Sequence, residues 1–267
     1  MRFRFINTGD NTAAMNMAID EALLESKLPV LRVYGWKPAA ISIGYNQELK
    51  KHINLDACKK LGIDIVRRPT GGKAVLHDTH EMELTYSVII DLNDKNYDSD
   101  KIIPKLHKDS ILESYKKISK GILNALNFLG INAVMKETKP EKTDTAICFN
   151  EPSWYEILSN NKKIVGSAQR RINGKILQHG TILIGCDVEK MCRCFNTDFD
   201  AAVKATKERV TSISQLIGKH ITFQSLANAL KQGFEENFNL DFADDKLTDE
   251  ELAAADKLCK EKYEICK

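Results

Sequence analysis

The stretch KKIVGSAQRRINGKILQHGTILIG, residues 162–185, decides the fold. Two strand-like runs flank Asn173-Gly174, and an Asn-Gly pair in that setting is a strong hairpin signal. Upstream, SWYEIL (153–158) leads through NNKK (160–163) into the same unit, so a three-strand meander is expected, with Lys163 beside a turn. Strands joined by tight turns need no crossover helix, which argues against a doubly wound parallel sheet.

Working outward, RFRFI opens as a strand, and TAAMNMAIDEALLESK sets Met15, Ile19, Ala22 and Leu23 at helical spacing. VLRVY and AISIGY read as strands around the turn GWKPA. INLDACKKL reads as a short helix before the strand IDIVRR, and MELTYSVII as a further strand. ILESYKKISKGILNALNFLG is a helix with the stripe Ile111, Tyr115, Ile118, Ile122, Leu126 and Leu129, and Gly130 is its natural stop. DVEKMCRCF, FQSLANALKQGFEENF and DEELAAADKLCKEKY are helical, so about 222–267 reads as a helical C-terminal segment. The pattern predicts one α+β domain over residues 1–267, a mixed and largely antiparallel sheet flanked by helices.

Composition narrows the function. Of 267 residues 28% are charged and 43% apolar, and the net charge of +2 is too small to point to nucleic acid or a membrane surface. No apolar run approaches the ~20 residues of a membrane-spanning helix, and MRFRFINTGDN lacks the features of a signal peptide. A cytoplasmic protein is therefore expected. Seven irregularly spaced cysteines favour reduced thiols over a disulfide framework. Cys186, Cys192 and Cys194 lack a paired C-x-x-C or a nearby histidine, so they are expected to pack, with no metal.

Four segments are polar where a simple core would be apolar. In RRPTGGKAVLHD (67–78) Gly71-Gly72 would let a ligand approach the backbone, between Arg67-Arg68 and His77-Asp78. In KKIVGSAQRR (162–171) the small residues Gly166, Ser167 and Ala168 thin a strand, with Lys163 just before them. LQHGTILI interrupts an apolar strand with His179 and Gly180. TAICFNEPSW (145–154) carries Cys148, either a buried thiol or a nucleophile on a loop mouth.

In order and spacing, MNMAIDEALL, RRPTGGKAVLHD, ELTYSV, CFNEPSWYEI, KKIVGSAQRR and LQHGTILI resemble the lipoate and octanoate transferase family, which shares the fold of biotin and lipoate protein ligases. The resemblance spans about Phe5 to Tyr263. Within the family the sequence looks most like the cysteine-bearing octanoyl-acyl carrier protein:protein N-octanoyltransferases of Gram-positive bacteria. It implies that Cys148 carries the acyl group and Lys163 assists it, with Arg68, Gly71, Gly72, His77, Gly166, Ser167 and His179 around the substrate. Residues near Val75, Tyr86 and Ile164 are expected along the acyl channel. The implied donor is octanoyl-acyl carrier protein and the implied acceptor a lysine of the glycine cleavage H protein or another lipoyl domain. No cofactor or metal is implied, nor any nucleic acid or membrane partner, and a monomer is expected.

Three other readings remain open. An ATP-dependent lipoate-protein ligase has similar motifs but usually an extra C-terminal domain. A lipoyl or octanoyl amidotransferase also uses a cysteine relay, and a silent binding module would only capture acyl carriers. Replacing Lys163, read as loop-side, is expected to lower the rate deeply with little loss of stability.

Overall fold

The computed structural model describes residues 3–92, 111–137 and 155–264. Its strands are β1 (Phe3–Asn11), β2 (Val30–Trp36), β3 (Ala40–Ile43), β4 (Asp64–Arg67), β5 (Val75–His77), β6 (Glu83–Asp91), β7 (Val134–Glu137), β8 (Tyr155–Ser159), β9 (Lys162–Ile172), β10 (Lys175–Leu183) and β11 (Phe242–Asp245). Eight form one sheet in the order β11-β1-β2-β6-β10-β9-β8-β7, and β4-β3-β5 form a second. Only the β11-β1-β2 edge of the large sheet is parallel; every other pair in it is antiparallel. The expected α+β class and the β8-β9-β10 meander are both present.

The meander turns explain one misplaced boundary. Ser159 pairs with Lys162, and Ile172 with Lys175, so each loop has two residues. Asn160 and Asn161 both take positive φ (50° and 60°), as do Asn173 and Gly174 (50° and 79°). Positive φ at both central positions is the type I′ turn, whose twist matches the flanking strands. The Asn pair alone makes the first turn, so Lys163 belongs inside β9 and not beside a loop.

Helix α4 (Ile111–Phe128) and helix α8 (Phe223–Phe238) cover one face of the large sheet. Ile118, Ile122 and Leu126 are buried there as the stripe predicts, but Ile111 is exposed. Gly130, at φ +76°, follows the end of α4. Beneath these helices lie Leu31, Val33, Leu84, Tyr86, Val88, Ile90, Ile176 and Ile182, alternate residues of β2, β6 and β10. The opposite face carries α1 (Ala13–Ala22), with α9 (Asp249–Leu258) and Tyr263 packed on it. A third apolar cluster joins the small sheet to α3 (Leu55–Lys60), to the helix Val188–Arg193 and to the helix Phe199–Arg209, and includes Cys58, Cys192 and Cys194. The C-terminal segment is not wholly helical: β11 lies within it and pairs with β1.

Strand β6 positions the site. ELTYSVII alternates polar and apolar residues, yet Glu83 to Ile90 are all buried. A strand covered on both faces ordinarily reads as continuous apolar sequence. Here Glu83, Thr85 and Ser87 project to the face opposite α4, so that face holds buried polar groups.

Helices α4 and α8 approach through glycines. A Cβ on Gly233 would collide with the Gly121 carbonyl oxygen and lie 2.6 Å from the Ala125 nitrogen. Alanine gains up to about 1 kcal/mol of helix propensity over glycine, but overpacking against backbone costs about 1–3 kcal/mol. Gly233→Ala is therefore expected to lower stability by about 1–2 kcal/mol, seen as a lower urea midpoint at unchanged slope.

Candidate active site

Between the two sheets runs a narrow cleft of about 100 Å³. Its walls include Trp36 and Thr85 of the large sheet and Ser42, Val75 and His77 of the small one. Lys163, Gly166 and His179 complete it from β9 and β10.

The Arg68 loop forms one lip. Its guanidinium donates to the carbonyl oxygens of Ser42 (2.8 Å), Gly71 (2.7 Å) and Lys73 (2.7 Å), so one buried cation ties the loop to β3. Gly72 sits at φ +91°, and its carbonyl presses so close to Gly44 that a Cβ on Gly44 would collide with it. Both glycines are required by geometry: one by left-handed backbone, the other by close approach.

Beneath the loop, Asp20 of α1 is fully buried and accepts from four side chains. Arg32 Nη1 (2.6 Å) and Ser87 Oγ (2.8 Å) reach Oδ1; Tyr34 Oη (2.9 Å) and His179 Nδ1 (3.1 Å) reach Oδ2. Burial pushes the Asp20 carboxyl up, but Arg32 and the His179 hydrogen bond outweigh it and hold it below its ordinary value. Burial pulls His179 below its ordinary value of 6.5 despite Asp20. The carboxylate accepts a hydrogen bond from Nδ1–H of neutral His179, leaving Nε2 to accept from Thr70 Oγ1 (2.6 Å). A β10 side chain thus fixes the residue two before Gly72.

Lys163 is 4% exposed and makes an ion pair with Glu156 of β8 (Nζ–Oε1 2.9 Å). Its burial corrects the expectation of a loop-side lysine. In the next rows of β9, Ser167 meets Tyr86 Oη (2.8 Å) across Gly180, where a Cβ would collide with the Ser167 hydroxyl.

Of the residues singled out from sequence, Arg68, Gly72, His77, Lys163, Gly166, Ser167 and His179 all line the cleft. Gly71 does not: it is exposed, and only its carbonyl is engaged, by Arg68. Cys148 lies outside the described residues. Of the expected channel residues, Val75 lines the cleft, whereas Tyr86 and Ile164 pack into the core under α4 and α8. Strand alternation sends Tyr86 to the other face, and Ile164 sits at the register shift between β8 and β9, where Val165 pairs with Ile157 but Lys163 with Leu158. Sequence reading missed Asp20, Arg32, Ser42, Glu83 and Glu156. A signal was present for Arg32, a charge inside the apolar run VLRVY, but nothing local distinguishes Asp20 from a surface acid of an amphipathic helix.

Residues 12–235 match the family of the lipoyl protein ligase A/B catalytic domain. The chain belongs to that family. It is 40% identical to octanoyltransferase LipM of Anoxybacillus flavithermus, over 98% of this chain and 95% of the relative, and 39% identical to that of Bacillus subtilis, over 98% and 95%. With relatives of that kind along nearly its whole length, this family member is an acyltransferase of the octanoyltransferase type. Among solved structures it resembles lipoate-protein ligase A bound with ATP (TM-score 0.78, 26% identity, 99% of this chain and 96% of that one). A bipartite lipoate protein ligase from Thermoplasma acidophilum, described with its E2 lipoyl domain, aligns as well (TM-score 0.78, 26% identity, 99% and 94%). The chain spans almost all of both ligase chains. Among the described residues no helix is long and apolar enough to cross a membrane.

The depressed His179 sets a pH signature. In the unfolded chain its imidazole protonates as pH falls through about 6.5, while the native site resists, so its contribution to stability is present above that value and is lost below it. Asp20 adds a second loss at still lower pH, below the ordinary carboxyl value of 3.8. Urea unfolding between about pH 7.5 and about pH 5.5 is expected to show stability falling with pH, and a shallower fall in His179→Gln.

Proposed function

We propose that the protein moves an octanoyl group from acyl carrier protein to a lysine of a lipoyl-accepting protein, the glycine cleavage H protein foremost. The group rests in between as a thioester on Cys148, and the product would begin lipoate assembly. The observation that carries this reading is a buried ammonium in a cleft of mixed polar and apolar wall: Lys163, ion-paired with Glu156. In sequence, Cys148 precedes Tyr155, the neighbour of Glu156, by seven residues.

The chemistry is balanced without ATP. Cys148 as thiolate attacks the acyl carbonyl of the carrier thioester, and the Lys163 ammonium can donate to the oxyanion. The carrier sulfur leaves, taking a proton from Lys163. A lysine amine of the acceptor then attacks the octanoyl-enzyme, Lys163 recovers a proton, and Cys148 departs as thiolate. Thioester exchange is nearly even and amide formation runs downhill, so the transferred bond itself supplies the driving force.

Two measurements test the reading. Mixed with octanoyl-acyl carrier protein in the absence of ATP, the wild type is expected to gain one octanoyl group by mass spectrometry, and Cys148→Ala none. Acceptor modification that requires free octanoate and ATP would instead identify a ligase. Lys163→Ala is expected to slow transfer by about 100-fold or more and, unlike a surface lysine, to lose roughly 2–3 kcal/mol of stability, because one half of a nearly buried ion pair is removed. Unchanged turnover in that variant would sink the role given to Lys163.

A further inference from the structure

An acceptor lysine arrives at neutral pH as an ammonium and ends as an amide N–H, so it must lose two protons. Lys163, having given a proton to the departing carrier thiol, takes back one. Another base must take the other.

On the small-sheet side of the cleft, Ser42 Oγ lies 2.8 Å from His77 Nε2, and His77 Nδ1 lies 2.9 Å from Glu83 Oε1. All three residues are at least 95% buried, and Ser42 and His77 line the cleft. An acceptor carboxylate at Glu83 sets the order of the hydrogens along the chain. Trp36 Nε1 donates to Thr85 Oγ1 (2.8 Å), so the Thr85 hydroxyl hydrogen is available to Glu83 Oε1 (3.1 Å). His77 Nδ1 faces both Glu83 Oε1 (2.9 Å) and Thr181 Oγ1 (3.1 Å); because a carboxylate oxygen can only accept, Nδ1 carries the hydrogen, which leaves Nε2 with a bare lone pair. Arg68 Nη1 donates to Ser42 Oγ (3.3 Å), so the Ser42 hydroxyl hydrogen points at that lone pair. Trp36 stacks on the His77 ring (centroids 4.0 Å apart, 13° between planes) and holds it in register.

We infer that Ser42 and His77 are a proton relay for the acceptor amine, and that Glu83 is the residue that positions it. An ammonium N–H passes its proton to Ser42 Oγ as the Ser42 hydroxyl proton moves to His77 Nε2. The amine becomes neutral and nucleophilic, and the imidazolium that forms sits against the Glu83 carboxylate. His77 returns the proton to solvent when product leaves. The other histidine buried among the described residues cannot do this, because His179 Nε2 meets Thr70, which is fully buried and does not line the cleft. The relay rests on the proposed ping-pong transfer, whose two halves can be assayed apart.

The test isolates octanoyl-enzyme and measures its discharge to two acceptors. One is H protein, whose lysine must be deprotonated; the other is hydroxylamine, already uncharged at neutral pH. Glu83→Gln and Ser42→Ala are expected to form octanoyl-enzyme within a few-fold of the wild-type rate. Their discharge to H protein is expected to slow on the order of 100-fold, with discharge to hydroxylamine nearly unchanged. Equal slowing with both acceptors would mean structural damage, and wild-type discharge to H protein in both variants would mean no relay; either overturns the inference. If wild type forms no octanoyl-enzyme at all, the transfer mechanism itself fails, and the relay falls with it.

Discussion

The buried carboxylate of Asp20 is the interaction on which the rest of the molecule depends. It lies on α1 yet collects donors from β2, β6 and β10, so one side chain locks a helix to three strands of the large sheet. Arg32 is as fully buried as its partner. An isolated charge of either sign would cost several kcal/mol in such surroundings. Together, and with Asn16 taking a further guanidinium hydrogen at 2.7 Å, they are satisfied. The geometry they enforce reaches outward through His179 to Thr70, and so to the lip of the cleft. A hydrophobic pair could hold α1 in place, but it could not aim an imidazole.

The cleft exists because two sheets of different character face one another. On the α4 and α8 side, β6 offers Leu84, Tyr86, Val88 and Ile90 to a dry core; on the other side it offers Glu83, Thr85 and Ser87. Period-two alternation lets a single strand serve both. The polar row is not solvated like the outer face of an ordinary antiparallel sheet. The small sheet and α1 cover it, and each buried polar group there has to find a partner within the fold. Paired in this way the groups are preorganised, which is the condition for electrostatic help to a reaction. The close contact Gly44–Gly72 serves the same end, bringing backbone near the cleft without filling it.

Much of this was legible in the sequence, and for local reasons. The Asn-Gly hairpin, the left-handed stop at Gly130 and the stripe of α4 follow from turn chemistry and periodicity within a few residues. The Arg-Gly loop, His77, His179 and the thin patch at Gly166 showed themselves as polar or small residues inside strand-like runs. What escaped depends on contacts between distant segments. Glu156 and Lys163 belong to neighbouring strands, but their pairing follows only once the turn is placed at Asn160-Asn161 and not over four residues. Asp20 and Arg32 read as helix acid and strand cation, and β11 as part of a helical tail. The split of β2 and β3 into different sheets has no local signature either, because both are short apolar runs.

Resemblance to an ATP-bound ligase at a TM-score of 0.78 has a chemical meaning. On the proposed reading, ligase and transferase would share a last step, the attack of a lysine amine on an activated acyl carbonyl, and both would use a cation near the developing oxyanion. They differ only in how the carbonyl is activated. A ligase must create that activation with a nucleotide, whereas a thioester donor brings it along. Under the proposed reading, the change from one to the other asks for one added nucleophile near Lys163, with the sheet, the Arg68 loop and the Asp20 hub left as they are. On that reading the fold constrains the second half of the reaction more tightly than the first.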